Sequence, residues 1–419
     1  MLKSAPMPHF VIIGGGIIET AIALTLARRG GQKITILEKE ASLGLHASGR
    51  NSGVIHSGIN QQPGSLKGRM CVEGSRLLRE YCRRRGVPMV ECGTLVVARN
   101  NEEVKTLEKL LQMGNECGVP GLRLIDQKEL QQREPLAKGF RALLSPTGAT
   151  VDSLKLLGTV ASEAREQGVE YRFHHRVIGI EGKKIKTVQG EFTADHIVNS
   201  AGLEADRIAH LMGVGTSYRI IPFRGEYMEV KRCPVNGMIY QPPDLRFPFL
   251  SIHLTRETDG RVLAGPTATL AFGREAYHKE WDLGEMAGMF LSRPFRRLIT
   301  SREFLGLAVS NFLVSFSKRA FLKEIQSLVA GIALDQLVAF RSGIRAQMVD
   351  SEGKFVNDSL VEARESSTHI LNAVSPGLTS SFAFAEYVVE RCLAGEVGPV
   401  NFLGLPGAAV KKPLPPADP

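Results

Sequence analysis

The chain has 419 residues, 43% of them hydrophobic and 23% charged, the balance of a globular protein long enough for two domains or one large two-layer body. No run approaches the ~20 apolar residues of a membrane-crossing helix, and the start, MLKSAPMPHF, lacks the apolar centre of a secretion signal and the arginines of a mitochondrial presequence. The net charge of +9 suits an anionic substrate, an anionic membrane surface or nucleic acid, but the basic residues are dispersed without aromatic interleaving, which argues against nucleic acid.

The densest basic group, Arg76, Arg79, Arg83, Arg84 and Arg85, falls on an expected helix from Ser65 and reads as a solvated face. The six cysteines show no C-x-x-C pairing, so they read as reduced and mostly buried, with no metal site.

In chain order, Phe10 to Ile13 is a short apolar strand, followed at once by Gly14, Gly15 and Gly16 and by a helical pattern at Ile17, Ala21, Leu24 and Ala27. A second strand, Ile34 to Leu37, ends at Glu38. This β-α-β layout grips an adenine dinucleotide. Gly14 makes the turn, Gly16 admits a pyrophosphate to the helix N-terminus, and Glu38 accepts from the adenosine ribose. The third glycine of the pattern is replaced by Glu19, which adds bulk and negative charge beside that diphosphate. Weakened cofactor retention is the expected result.

The loop HASGRNSGVIHSG (46–58) follows. Ser48, Asn51 and Ser52 offer hydrogen bonds to phosphate or ring atoms, its glycines permit close backbone approach, and His56 is a candidate general base. A helix over 65–85, strand 93–98, a long helix through Val104, Leu107 and Leu110, and a short helix Gln127 to Glu134 come next. Helix 152–168, strands near 171–173 and 177–180, a hairpin at 184–193 and the strand HIVNSAG (196–202) then return to a nucleotide-fold pattern.

Helix 203–212 leads to a strand-rich block over 217–270, and a mostly helical stretch over 283–338 follows. Strands near 344–349 and 369–372 and a helix over 380–394 close the order before a tail of disordered composition, partly within 397–419. PFRGEY (222–227) and GIRAQ (343–347) each set an arginine beside a glycine. Two guanidiniums of this kind suit a dicarboxylate, although arginines more often make structural ion pairs. His253 shares a strand face with Ser251 and Thr255, and NAVSPGLTSS (372–381) opens the last helix with free N–H groups.

The fold class is therefore α/β, a Rossmann-like nucleotide domain built from 8–85, 145–215 and 340–396, with an inserted α+β substrate domain from 86–144 and 216–339.

Taken together, VIIGGGII, LEKE, NSGVIHSGI with PGSLK, GVPGLRLI, IPFRGEY, RFPFLSIHLT, LAFGREAY, GIRAQ and NAVSPGLTSS run in one order from about residue 9 to 390. The chain thereby resembles the FAD-dependent oxidoreductases of the D-amino-acid-oxidase type, and within them the group that oxidises L-2-hydroxyglutarate. The resemblance implies that Gly14, Gly16, Glu38, Ser48, Asn51 and Ser52 hold FAD from pyrophosphate to flavin. It places adenine on the backbone of Val177, FAD beside Gly202, and the flavin edge under Gly377, Leu378 and Thr379. Arg345 is implied for the substrate α-carboxylate and Arg224 for the distal one. Departures from the pattern are Glu19 for glycine, Arg50 for a histidine, NAVSPGLTSS (372–381) for N-A-P-S-P-A-A-T-S, and residues 285–335, which match poorly.

The reaction implied is oxidation of L-2-hydroxyglutarate to 2-oxoglutarate, with hydride passing from the substrate α-carbon to the flavin. His56 is the first candidate base and His253 the second. Quinone or oxygen would reoxidise the cofactor, at the cytoplasmic face of an inner membrane by peripheral contact, free in the cytoplasm, or in mitochondria after loss of a presequence. The competing readings are an FAD oxidase of another 2-hydroxy acid, an amino acid or glycerol 3-phosphate, and a scaffold that has lost FAD through Glu19.

Overall fold

The computed structural model describes residues 7–244, 252–301, 304, 306, 313–373 and 375–400. The first β-α-β unit forms as its pattern predicts, from β1 (His9–Ile13), α1 (Ile17–Arg29) and β2 (Lys33–Leu37). Strand β1 lies between β2 and His196–Asn199, parallel to both, inside a sheet of seven strands among the described residues. Glu170–Arg172 extends one edge, and Ser367–Asn372 and the antiparallel Leu360–Arg364 and Gly398–Val400 extend the other.

Alternation along β1 sends Phe10 and Ile12 to one face and Val11 and Ile13 to the other. The first face packs under α1, α2 (Leu66–Arg85), Ser153–Glu166 and the terminal helix Gly377–Ala394. The second is covered by the three-stranded meander Val177–Glu181, Lys184–Thr187 and Gly190–Thr193, through Ile180 and Ile185.

A nine-stranded sheet forms the other half. Its spine is the long antiparallel pair Arg219–Val230 and Leu337–Val349, in register from Arg219 opposite Val349 to Val230 opposite Leu337 with one bulge after Tyr227. The strand expected near 344–349 therefore begins seven residues earlier, and the expected boundary at 340 cuts through it. Arg123–Asp126 and Arg141–Ser145, not anticipated from the sequence, pair at the far edge. Helix Lys318–Leu328 lays Phe321, Ile325 and Leu328 on this sheet at helical spacing.

The helical stretch expected over 283–338 is broken: among the described residues it includes Leu283–Leu291, Arg293–Ile299 and Lys318–Leu328, with further helical residues at 304, 306 and 313–316. Pro294 sits in the first turn of the second piece, where its missing N–H has no intrahelical partner to lose. Residues 245–251, within the expected strand-rich block, and the tail from 401 lie outside the described residues.

Most of the α2 arginines in the basic group pair with nearby carboxylates. Arg76 pairs with Glu73 at 2.6 Å and Glu80 at 3.0 Å, and Arg83 with Glu91 at 2.6 Å. A buried ion pair joins the two halves, with Arg274 on Asp206 at 2.5 Å while Asp206 also accepts from the Ile220 N–H at 2.9 Å. Among the described residues no helix is long and apolar enough to cross a membrane.

Candidate active site

The glycine turn and the loops after β2 open onto one cleft between the two sheets. Gly14 has φ of +108°, a conformation that favours glycine, and a Cβ there would meet Ser200 O at 2.9 Å. Gly16 caps α1, and the Ile17 N–H donates to Ser48 Oγ at 3.0 Å. Glu38 is buried at the end of β2, accepting from the Gly15 N–H at 2.8 Å and from the Glu40 N–H at 2.9 Å. Its carboxylate is thus aimed at the turn, with lone pairs left for ribose hydroxyls.

Glu19 occupies the space that a glycine would leave empty. Its side chain is 7% exposed, accepts from Ser200 Oγ at 2.8 Å, and puts Oε2 only 2.5 Å from where a Cβ of Gly16 would stand. Burial, with the nearby Glu38 charge, pushes its carboxyl up to about 7. The helix N-terminus therefore already faces one carboxylic acid.

The 46–58 loop is braced from within. Asn51 donates to Ala47 O at 3.0 Å and Ser48 O at 2.8 Å and accepts from the Gly53 N–H at 2.7 Å, so its side chain shapes the loop that lines the cleft. Segment 272–277 crosses over from the second sheet. His46 Nδ1 lies 2.6 Å from Tyr277 Oη, the Arg50 guanidinium sits 4.0 Å above the Tyr277 ring, and Lys39 pairs with both Glu40 and Glu275. At the other wall Thr379 Oγ1 accepts from the His56 N–H at 3.0 Å and donates to Val54 O at 3.3 Å. The start of the terminal helix and the segment from strand Val54–Ile55 to His56 are thereby fixed to each other.

His56, His253, Tyr227 and Arg345 all line the cleft, and the Arg345 charge acts on both His56 and Tyr227. Strand alternation explains this set. Gly225 lies opposite Gly343, and Tyr227 and Arg345, each two residues from that pair along its own strand, share its face, whereas Arg224 lies opposite Ile344 and points the other way. Burial lowers the Arg345 pKa from its ordinary value, partly offset by the Tyr227 phenol. Burial first, then the Arg345 and Lys67 charges, holds His56 down to about 4, so its imidazole is neutral at physiological pH. His253 is 3% exposed and stacks on Tyr240 at 4.0 Å between ring centroids.

Of the residues expected from sequence, Gly14, Gly16, Glu38, Ser48, Asn51, Ser52, His56, Gly202, His253, Arg345, Gly377, Leu378 and Thr379 line this one cleft. Val177 and Arg224 do not. Val177 begins the meander, paired with Thr187, and Arg224 is buried against Ala276 O at 3.4 Å and Glu226 at 3.5 Å. Tyr227 was missed. Its signal was present in RGEY, where it stands two residues after the glycine and so on the same face.

The cleft fits FAD. A side-chain-free turn at a helix N-terminus and a ribose acid lie at one end, a second helix N-terminus at Gly377–Thr379 forms another wall, and the candidate reacting groups lie together. Glu19 is the one element that works against the pyrophosphate.

The model for FAD dependent oxidoreductases matches residues 9–391. The chain is 37% identical to the human mitochondrial L-2-hydroxyglutarate dehydrogenase, covering 93% of this chain and 90% of that one. It is 33% identical to L-2-hydroxyglutarate dehydrogenase of Escherichia coli K12, covering 92% and 93%. In fold it is similar to L-alpha-glycerophosphate oxidase of Mycoplasma pneumoniae with FAD bound, at a TM-score of 0.75 and 21% identity over 94% of this chain and 96% of that one. Glycine oxidase of Geobacillus kaustophilus is also similar, at 0.69 and 21% over 92% and 95%. With a glycine turn, a buried acid at the end of β2 and a second helix N-terminus on one cleft, and with these relatives spanning nearly its whole length, the chain belongs to the FAD dependent oxidoreductase family.

Proposed function

We propose that this enzyme oxidises L-2-hydroxyglutarate to 2-oxoglutarate. The observation that carries the reading is that Arg345, Tyr227 and the neutral His56 line one cleft, within reach of one another's charge, whose other residues suit FAD. When bound, FAD supplies the hydride acceptor for the substrate α-carbon. The guanidinium fork of Arg345 takes the α-carboxylate in a bidentate pair and fixes the α-carbon. Tyr227, on the same strand face and within reach of the Arg345 charge, helps orient that carboxylate.

A ring nitrogen of His56 takes the hydroxyl proton as the α-hydrogen departs. Thr379 holds the His56 backbone, so the position of the base is tied to the helix that covers the flavin edge. His253, kept flat by Tyr240, orients the substrate from the second sheet and is the alternative base. Segment 272–277 closes the loop side and limits water at the reacting atoms.

The electron acceptor is a quinone dissolved in a membrane. Trp281, Leu283 and Leu291 are 68%, 76% and 77% exposed, and Arg293, Arg296 and Arg297 follow them, a combination that supports peripheral contact with an anionic lipid surface. Cosedimentation with anionic vesicles that is lost in Leu283→Asp/Leu291→Asp tests the contact, and equal recovery of both proteins with vesicles refutes it.

Initial rates on both enantiomers of 2-hydroxyglutarate, L-2-hydroxybutyrate, glycine, L-proline and glycerol 3-phosphate test the substrate. A rate confined to L-2-hydroxyglutarate, with 2-oxoglutarate as product, is the expected result. A faster amine or phosphate substrate contradicts it.

A further inference from the structure

The start of the terminal helix carries a hydroxyl whose role the sequence does not separate from that of its backbone. Thr379 is fully buried and lines the cleft. Its Oγ1 accepts from the His56 N–H at 3.0 Å and donates to Val54 O at 3.3 Å, in bonds that span 323 and 325 residues. A hydroxyl has one proton to give. Here that proton goes to Val54 O, so none is left for an acceptor atom of a flavin.

The same stretch of chain is held from its other sides. Val54 and Ile55 pair with Thr150 and Ala149. His56 O accepts from Cys71 Sγ, on α2, at 3.7 Å. Helix α2 in turn lies directly on the start of the terminal helix. A Cβ at Gly74 would stand 2.4 Å from Thr379 O and 2.7 Å from Ser380 Cα, so the approach needs glycine. Farther along the two helices, the Tyr81 and Phe382 rings pack at 4.7 Å between centroids. The N–H and the C=O of His56 are thus gripped by two helices that are also packed against each other.

We infer that the Thr379 hydroxyl positions His56 rather than binding the cofactor: it sets the base at a fixed place relative to the helix start expected at the flavin edge. FAD is left to the backbone N–H groups of that helix start. A general base works only within hydrogen-bond reach of the proton it takes, and a misplacement of about 1 Å costs up to about a hundredfold in rate. Loss of the hydroxyl therefore slows the chemical step without loosening FAD or substrate. The inference rests on the function proposed above, with His56 as the base, and adds the residue that holds it.

Thr379→Val keeps the shape of the side chain and removes the hydroxyl, whereas Thr379→Ser keeps the hydroxyl. Rapid mixing with a range of L-2-hydroxyglutarate concentrations separates the limiting rate of flavin reduction from the substrate Kd. Titration of each apoprotein with FAD gives the cofactor Kd without turnover. In Thr379→Val the limiting rate is expected to fall about tenfold or more, with both Kd values within about threefold of wild type. Thr379→Ser restores the rate to within about threefold.

A valine variant as fast as wild type overturns the inference. So does a serine variant as slow as the valine one, which assigns the effect to packing, and so does a cofactor Kd that rises as far as the rate falls, which gives the hydroxyl to FAD. The wild type supplies a readout that does not depend on a folded variant. Hydrogen exchange in the apoprotein should find the His56 amide protected along with those of the terminal helix, and exchange at the rate of an open amide removes the bond and the inference with it. If L-2-hydroxyglutarate leaves the wild-type flavin oxidised, the proposed substrate fails, and the same comparison made with whichever other compound named above reduces the flavin still decides the part played by Thr379. A wild type that none of them reduces overturns both.

Discussion

Replacing Glu19 should change how tightly the protein holds FAD, and the size of the change follows from the burial of its carboxyl. The folded pKa of about 7 lies above the ordinary 4.5, so the folded state binds more protons than the unfolded one between those values. Any stability tied to this difference is present below 4.5 and lost as pH rises through 7, a difference of roughly 3 kcal/mol. A pyrophosphate at the α1 N-terminus adds negative charge beside the same group and favours its protonated form further. If FAD binds only the protonated form, affinity should fall about tenfold between pH 6 and pH 8 for an apoprotein value of about 7. Glu19→Gln keeps a hydrogen-bond partner for Ser200 and should remove the pH dependence. Glu19→Gly should bind more tightly at pH 8, since it also clears the space against Gly16. Titration of apoprotein with FAD, followed by quenching of flavin fluorescence, measures all three. A wild-type Kd constant from pH 6 to 8 and equal to that of both variants would refute the reasoning.

Arg345→Lys keeps the charge but loses the fork, and KM should rise by about thirtyfold or more with the flavin spectrum unchanged; unaltered kinetics would remove Arg345 from the site. His56→Ala should slow flavin reduction by roughly 10²-fold or more in rapid mixing with FAD still bound, while His253→Ala costs less; the reverse order would make His253 the base. Because His56 is held down to about 4, it stays neutral as pH falls through the usual histidine range, and kcat/KM should lose the contribution of the base only near that value. Arg274→Ala leaves Asp206 charged and buried, and should destabilise the fold by about 3–5 kcal/mol in denaturant titration; a loss under about 1 kcal/mol would contradict the buried pair.

The parts of the site that rest on local backbone geometry were legible in the sequence. Gly14, Gly16 and Glu38 lie within one β-α-β unit, whose spacing dictates where they end up. Glu19 was legible as a departure, though its bond to Ser200, 181 residues away, was not. Arg224 and Arg345 carried the same local signal, an arginine beside a glycine. What separates them is which face of each strand meets the cleft, and that depends on pairing across more than a hundred residues. Tyr227 was hidden by the same ambiguity. The start of strand Leu337–Val349 was masked because Leu337, Val338 and Phe340 continue an apolar run out of a helical stretch, and periodicity alone does not divide such a run.

The most direct test of the account is anaerobic addition of L-2-hydroxyglutarate to the FAD-loaded protein, with the visible flavin absorbance as the readout. The account predicts bleaching by the L-enantiomer, with one 2-oxoglutarate formed per flavin reduced, and none by the D-enantiomer. A flavin that stays oxidised with L-2-hydroxyglutarate, or a protein that takes up no FAD even at pH 6, would contradict it.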